Sequence, residues 1–230
     1  MSKGYLSAIA GIAAAASTAG AAMAQDEPAV DGAYVRLGVG ATFVGDWEQD
    51  LAYNPTVAFV TPLAAGQTVD NGRAMTFAGA LGFDYADGIR TELEYRYAST
   101  PVDSVTPAGG VPTAPANEDV TAHFLMTNFF FDFANSSPLT PFIGGGVGGA
   151  FVSNEMKERD AALALQGRAG VSLAMGTGFT ADLEYIYLRT NDLDFGPSAD
   201  EFILGGPVGP AISGDRYQAS SVMVSLRRRF

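Results

Sequence analysis

The 230-residue chain contains no cysteine and a single histidine, and both facts restrict its chemistry. Without cysteine, disulfides, thiolate metal ligands and a cysteine nucleophile are excluded. Any histidine-dependent acid–base catalysis has to use His123. Basic residues are also few: 13 Lys and Arg stand against 25 Asp and Glu, for a net charge of −12. This balance argues against nucleic acid as a partner, because binding phosphates requires a basic surface.

Long apolar runs are absent beyond the N-terminus, which excludes a protein that crosses a membrane with helices. The N-terminus itself has the features of an export signal. Lys3 precedes a short apolar segment, and Ala22 and Ala24 form a small-x-small cleavage pattern, so we predict cleavage after Ala24. The predicted organisation is a signal peptide (residues 1–24), a short N-terminal periplasmic segment (25–32) and one exported domain (33–230).

Alternation of apolar and polar residues is the strongest pattern that is present. In the segment Ile89–Tyr97, an unbroken apolar and aromatic set alternates with four charged residues. A period of two predicts a β-strand with two different faces. In the segment 122–133 the alternation is less clean, because phenylalanine occurs on both faces. The other predicted strands are 33–44, 74–85, 141–152, 163–175, 179–187 and 217–230.

The connections between these eight strands alternate between long and short. Alternation of this kind indicates an up-and-down barrel with long loops at one rim and tight turns at the other. Strands of about 11 to 13 residues, tilted near 40°, match the roughly 25 Å apolar band of an outer membrane. The predicted fold class is all-β, an eight-stranded antiparallel up-and-down transmembrane β-barrel over residues 33–230. The expected long loops are 45–72, 100–118 and 190–214, and a shorter charged loop, 153–160, is expected at the same rim.

The polar face of the strands is assigned to the barrel interior, because an eight-stranded barrel has a lumen that its own side chains fill. Six arginines and six carboxylates fall on this face. An unpaired buried charge is costly, so we predict that they form ion pairs and that the excess negative charge lies in the loops. The predicted lumen network comprises Arg36, Asp84, Arg90, Glu92, Glu94, Arg96, Asp132, Arg168, Asp182, Glu184, Arg227 and Arg229.

Two motifs suggest ligand sites, and we interpret both as structural. Gly144, Gly146 and Gly149 match the G-x-G-x-x-G dinucleotide pattern, but they lie inside a predicted strand with no helix after them. We expect these small residues to leave lumen space for arginine side chains. The segment Asp46–Asp50 resembles a calcium loop, yet Leu51 stands where the turn needs glycine. No cofactor and no specific metal site are therefore predicted; weak cation binding by the acidic loops remains an alternative.

Three segments carry motifs of a known kind. Pro141–Gly148 has a Pro-aromatic-aliphatic-Gly pattern, Leu183–Tyr187 alternates acidic and apolar residues, and Val222–Phe230 ends the chain in phenylalanine. Together they resemble strands of small outer-membrane barrels of the OmpA-like, opacity and Omp25/Omp31 type. The resemblance implies the outer membrane of a Gram-negative cell, with its lipids and lipopolysaccharide as surroundings. No peptidoglycan-binding domain is expected after Phe230.

The C-terminal strand is similar to the signal by which the barrel-assembly machinery recognises such proteins. The resemblance assigns this role to Val222, Val224, Leu226 and Phe230. The sequence departs from the family pattern at Arg228, where an aromatic residue is common.

The alternating loop lengths and the balanced lumen charges favour a structural and surface-interaction role, in envelope integrity or in loop-mediated adhesion or host contact. A narrow channel is the alternative, since glycine-rich strands leave room for a hydrated path. A lipid A-modifying enzyme is less favoured, because the related deacylases have a His-x-Ser arrangement and Leu125 lies two residues after His123. Ion pairing also explains the lumen carboxylates better than a catalytic set.

Overall fold

The computed structural model describes the strands and tight turns of the chain. The described residues are 32–52, 67–85, 87–107, 119–153, 159–195 and 211–230. The predicted signal peptide, with Ala22 and Ala24, and residues 25–31 of the predicted periplasmic segment lie outside these ranges. The strands are β1 (Gly32–Val44), β2 (Trp47–Ala52), β3 (Gln67–Asn71), β4 (Arg73–Tyr85), β5 (Ile89–Thr100), β6 (Val102–Pro107), β7 (Val120–Asp132), β8 (Leu139–Ser153), β9 (Arg159–Gly176), β10 (Phe179–Phe195) and β11 (Ala211–Arg229).

Eight of these strands form a closed antiparallel barrel in the order β1, β4, β5, β7, β8, β9, β10, β11. The sheet closes through β1 and β11, which pair from Tyr34 with Arg229 to Val44 with Ala219. Closure gives the backbone groups of β1 and β11 hydrogen-bond partners, as a membrane-spanning structure built from strands requires. The predicted fold class is confirmed. No helix in the described ranges is long and apolar enough to span a membrane.

Side-chain alternation decides which face of each strand lies inside. On β5, the four charged side chains are buried, with exposures of 0–3%, whereas Leu93 and Tyr95 are each 51% exposed. The same parity holds on the other barrel strands, where leucine, valine and phenylalanine side chains point outward. Because that outer face is apolar, it suits lipid and not water.

Tight turns mark one rim of the barrel, called here the turn side. Asp87 and Gly88 connect β4 to β5, and Gly88 has a positive φ of 76° that favours glycine. Gly178, with a φ of 78°, completes the turn between β9 and β10. The opposite rim carries the long connections and is called the loop side. In outer-membrane barrels the short turns face the periplasm and the long loops face outward.

Three short strands on the loop side correct the prediction that residues 45–72 and 100–118 are loops throughout. Gly72 alone separates β3 from β4, and Pro101 alone separates β5 from β6, so the β3–β6 pair continues the β4–β5 hairpin above the barrel. The strand β2 pairs with β3 and with the start of β11. Local sequence did not indicate these strands, because strand formation depends on cross-strand partners more than on intrinsic propensity.

The barrel wall is also taller on one side than predicted. Strands β9, β10 and β11 contain 18, 17 and 19 residues, so much of the expected loop 190–214 and the end of loop 153–160 are strand. At about 3.3 Å per residue and a tilt near 40°, each residue adds roughly 2.5 Å of height. These strands therefore rise well beyond a 25 Å apolar band.

Candidate functional site in the barrel interior

A central cluster of six charged side chains crosses the lumen. Arg36 on β1 extends to strands that are not its neighbours, since β4 lies between β1 and β5, and β11 lies between β1 and β10. Its Nη2 atom lies 2.7 Å from Glu92 Oε2, its Nη1 atom lies 2.9 Å from Glu184 Oε1, and it also pairs with Glu94. The side chain of Arg36 thus joins opposite parts of the wall.

Two further arginines enclose the same carboxylates. Arg168 on β9 lies 2.6 Å from both Glu94 and Glu184. Arg96 pairs with Glu94 and donates a 2.7 Å hydrogen bond to Gln166 Oε1. The three arginines and three glutamates of the central cluster have balanced charges, and every one of these side chains is at most 3% exposed. Burial of this kind is favourable only when each charge has close partners.

A second cluster occupies the turn side of the lumen. Arg90 binds both carboxylate oxygens of Asp132, at 2.7 and 2.8 Å. Arg227 lies 3.6 Å from Asp182 and 3.8 Å from Asp84. Arg229 lies 4.0 Å from Asp84, and its side chain is 27% exposed, so this cluster reaches the turn-side opening of the barrel. The turn-side cluster consists of Asp84, Arg90, Asp132, Asp182, Arg227 and Arg229.

Neutral side chains that sequence reasoning missed complete both clusters. The Tyr34 hydroxyl donates to Glu92 at 2.8 Å, and the Ser172 hydroxyl donates to Asp182 at 2.6 Å. The ring centroid of Phe130 lies 4.6 Å from the guanidinium of Arg90 and 4.9 Å from that of Arg168. Phenylalanine on both faces of β7 was the available signal, since one of the two faces must point inward.

An apolar layer fills the loop-side part of the lumen, above the charged clusters. Its members come from the loop-side ends of the strands, and they are buried against one another. The ring centroids of Phe124 and Tyr217 are 5.3 Å apart within it. The polar-face pattern did not predict this layer. It contains Val44, Val102, Val120, Ala122, Phe124, Met126, Ala150, Val152, Ala164, Leu188, Leu193, Tyr217 and Ala219.

The inward glycines of β8 have a different role from the one predicted. A Cβ atom at Gly144 would lie 2.4 Å from the ring of Phe130, and one at Gly146 would lie 2.0 Å from Asn128 Oδ1. A Cβ atom at Gly148 would lie 2.0 Å from the carbonyl oxygen of Leu125. The neighbouring strand β7, and not the arginines, therefore takes up this space. The dinucleotide motif lies within β8, and the next element in the described part of the chain is the strand β9, not a helix.

His123 lies on the outer face of β7 and is half-buried among aromatic residues. Its Nδ1 atom shares a 2.7 Å hydrogen bond with the Tyr95 hydroxyl, and its ring centroid lies 5.0 Å from that of Tyr97. In the described part of the chain, no group of three or more His, Asp or Glu side chains is arranged to hold a metal ion. The side chains of Glu48 and Asp50, in the calcium-like segment, lie outside the described residues.

The predicted assembly-signal residues lie on the outer face of β11. Val222 and Leu226 are 45% and 46% exposed, Val224 is half-buried, and Phe230 is 79% exposed. The Phe230 amide donates to the carbonyl oxygen of Ala33, which ties the C-terminus to β1. The guanidinium of Arg228 lies 4.4 Å from the ring centroid of Phe179.

Comparison with known proteins places this architecture in a family. No curated protein matches the sequence. The solved structure of the outer membrane protein OprG from Pseudomonas aeruginosa is similar, with a TM-score of 0.61, 12% identity, and coverage of 86% of this chain and 96% of that one. Neisserial surface protein A matches with a TM-score of 0.49, 13% identity, and coverage of 87% and 99%. The family model for the outer membrane protein beta-barrel domain matches residues 12–230. The chain therefore belongs to the outer membrane protein beta-barrel family and is located in the outer membrane.

Proposed function

We propose that this protein is a closed outer-membrane barrel with a structural and surface-interaction role, and neither a pore nor an enzyme. The observation that supports this proposal is the filled lumen. Two balanced ion-pair clusters occupy its middle and its turn side, and an apolar layer occupies its loop side. An ion that entered the lumen would have to break buried pairs and then cross the apolar layer, and both steps are costly.

Planar-bilayer recording tests closure directly. We expect purified wild-type protein to give no stepwise conductance, because each central arginine is already bound by carboxylates. The variants Glu94→Ala and Arg96→Ala remove these partners and are expected to leave the record closed or to admit a small leak. Wild-type conductance that either variant abolishes would instead support the narrow-channel alternative.

The contact surface proposed for this protein is the loop side. The paired short strands β2, β3 and β6, called here the β2–β3–β6 tier, and the long strands β9–β11 extend above the apolar band. Acidic residues at this rim belong both to strands, as Asp70, Asp103 and Asp192 do, and to connecting segments, as Asp46 and Asp119 do. Adhesion, host contact and envelope integrity are the roles consistent with this arrangement, and the barrel-assembly machinery and lipopolysaccharide are the proposed partners.

Shortening each loop in turn separates these roles. Deletions within 53–66, 108–118, 154–158 or 196–210 leave all eleven strands intact. We expect loss of whole-cell binding to a surface or host ligand in at least one deletion if the role is adhesion. Increased envelope permeability without loss of binding would indicate envelope integrity instead.

A lipid-modifying activity is tested at His123. The imidazole Nδ1 already shares a hydrogen bond with Tyr95, and the ring faces the lipid side. We expect lipopolysaccharide incubated with the wild type and with His123→Ala to be chemically identical. Removal or addition of an acyl chain by the wild type alone would contradict the proposal.

A further inference from the structure

The charges on the outer wall of the barrel differ in sign from those of the whole chain. The chain carries a net charge of −12. The outward side chains of the eight barrel strands, where they are described, include five arginines and one carboxylate. Four of the arginines are on the loop side, and Arg228 is on the turn side. The outward charged residues are Arg73, Arg159, Arg189, Asp192, Arg216 and Arg228.

A groove on this wall lies next to two of the loop-side arginines. It runs between β9 and β10 with a volume of about 710 Å³, within the range of about 300–1,000 Å³ that is typical of ligand pockets. Its lining includes the outward side chains of Leu165, Tyr187, Arg189 and Arg216. We refer to it as the wall groove.

The floor of the wall groove has no side chains where β8 and β9 meet. Gly146 and Gly167 line the groove, and Gly167 pairs with Gly145, the neighbour of Gly146 on β8. A Cβ atom built at Gly167 would meet nothing within 4 Å. Beside this floor, Leu165 and Tyr187 are 56% and 40% exposed, so the groove offers an apolar trough to a chain-like ligand.

The height of the groove matches the boundary between acyl chains and headgroups. Arg189 is ten residues above Phe179, the first residue of β10 (189 − 179 = 10). At roughly 2.5 Å per residue, Arg189 lies about 25 Å above the periplasmic rim, which is the height of the apolar band. The glycine floor therefore lies at the level of acyl chains, and the arginine lies at the level of headgroups.

The polar end of the groove is cationic. Arg216 forms an exposed ion pair with Asp192. Arg189 lies within 4.0 Å of no carboxylate in the described part of the chain. Among the described charged side chains of the groove, Asp192, Arg189 and Arg216, there is one net positive charge.

We propose that the wall groove binds one lipid A moiety of lipopolysaccharide, with an acyl chain along the Gly145–Gly167 floor and a phosphate at Arg189. The loop side faces outward from the cell, where the outer leaflet presents this phosphorylated glycolipid. Arginine suits the ligand because its guanidinium binds phosphate oxygens in a bidentate manner. The site deepens the proposed function and rests on it, since lipopolysaccharide is already a proposed partner there, but it depends neither on the lumen nor on the loops.

Native mass spectrometry of the detergent-solubilised protein tests this site. We expect one bisphosphorylated lipid A per wild-type barrel, retained over dephosphorylated lipid A and over phosphatidylglycerol. Arg189→Gln is expected to weaken binding about tenfold, the factor for losing one hydrogen bond to a charged group. Gly167→Leu is expected to displace the acyl chain and to weaken binding by a similar factor, and the open space around its Cβ atom lets the variant fold.

Two matched controls lie on the opposite wall. Gly79 on β4 also faces outward, and a Cβ atom there would meet only Leu37, at 3.7 Å, so Gly79→Leu adds the same bulk away from the groove. Arg73→Gln removes a loop-side cation without touching the groove. Both controls should bind lipid A as the wild type does. Wild-type binding by Arg189→Gln and Gly167→Leu would overturn the proposal, as would equal binding of dephosphorylated lipid A or of phosphatidylglycerol.

Discussion

Glu94 is the most enclosed charged residue among those that the structure describes. It is fully buried and pairs with Arg36, Arg96 and Arg168, which come from three different strands. Alternation predicts that Glu94 points inward, but it does not identify these partners. A charge with three partners has a large effect when it is removed, because each partner then loses part of its compensation.

Replacement of Glu94 by glutamine keeps the shape of the side chain and removes its charge. We expect a loss of about 3–5 kcal/mol in the free energy of unfolding, because three buried arginines would then share two glutamates. Denaturant unfolding in lipid vesicles measures this loss. Asp192→Asn, which breaks the exposed pair with Arg216, is the control and should change stability little.

A double variant distinguishes charge imbalance from lost packing. Arg96→Gln added to Glu94→Gln restores the charge balance of the central cluster, so the two effects should not add. The expected coupling is about 1–3 kcal/mol. Strict additivity of the two losses would contradict the network description.

At the scale of the strand, β8 shows that glycines next to each other in sequence have different constraints. Gly148 points inward against the backbone of β7, whereas Gly149 points outward, where a Cβ atom would lie 3.6 Å from the Phe151 ring. Period-two alternation assigns the two faces. It does not reveal that the inner face of β8 lies against Asn128, Phe130 and the backbone at Leu125.

This difference predicts opposite outcomes for two adjacent substitutions. Gly148→Ala places a methyl group 2.0 Å from a backbone oxygen that cannot rotate away, so we expect a loss of about 1–3 kcal/mol in stability. Gly149→Ala fits at ordinary contact distance and should be neutral or slightly stabilising. Unfolding midpoints measured in the same vesicles compare the two; equal midpoints would contradict the close contact on β7.

The last strand carries a prediction about assembly. Phe230 is 79% exposed on the outer face, so its side chain contributes little to packing. If it serves as the proposed recognition signal, Phe230→Ala lowers the amount of folded barrel in the outer-membrane fraction and leaves the stability of the assembled barrel nearly unchanged. Phe133→Ala, at another exposed phenylalanine, is the control. Equal amounts of folded barrel for both variants would show that Phe230 is not part of the recognition signal.

At the scale of the whole molecule, closure and filling act together. The closed sheet has no unpaired edge within the barrel, and the charged clusters and apolar layer join opposite walls from within. We therefore expect the folded protein to resist SDS at room temperature and to migrate differently on a gel before and after boiling. Identical migration of both samples would contradict a closed, packed barrel.

The sequence by itself determined the number of barrel strands, their two faces and the balance of charges on the inner face. The physical reason is that a strand has a period of two and a membrane tolerates few outward charges. Each strand therefore shows the alternation and the apolar outer face in its own sequence. Alternating long and short connections determined the up-and-down order in the same way.

Tertiary structure alone decided which residues meet across the lumen. Arg36 reaches Glu184 because barrel closure brings β1 and β10 within one strand of each other, although 148 residues separate the two in sequence. The β2–β3–β6 tier, the apolar layer and the wall groove likewise depend on neighbouring strands that are distant in sequence. Such contacts produce no periodic pattern in the local sequence. Each contact depends on the register and curvature of the sheet, and not on the segment that contributes the side chain.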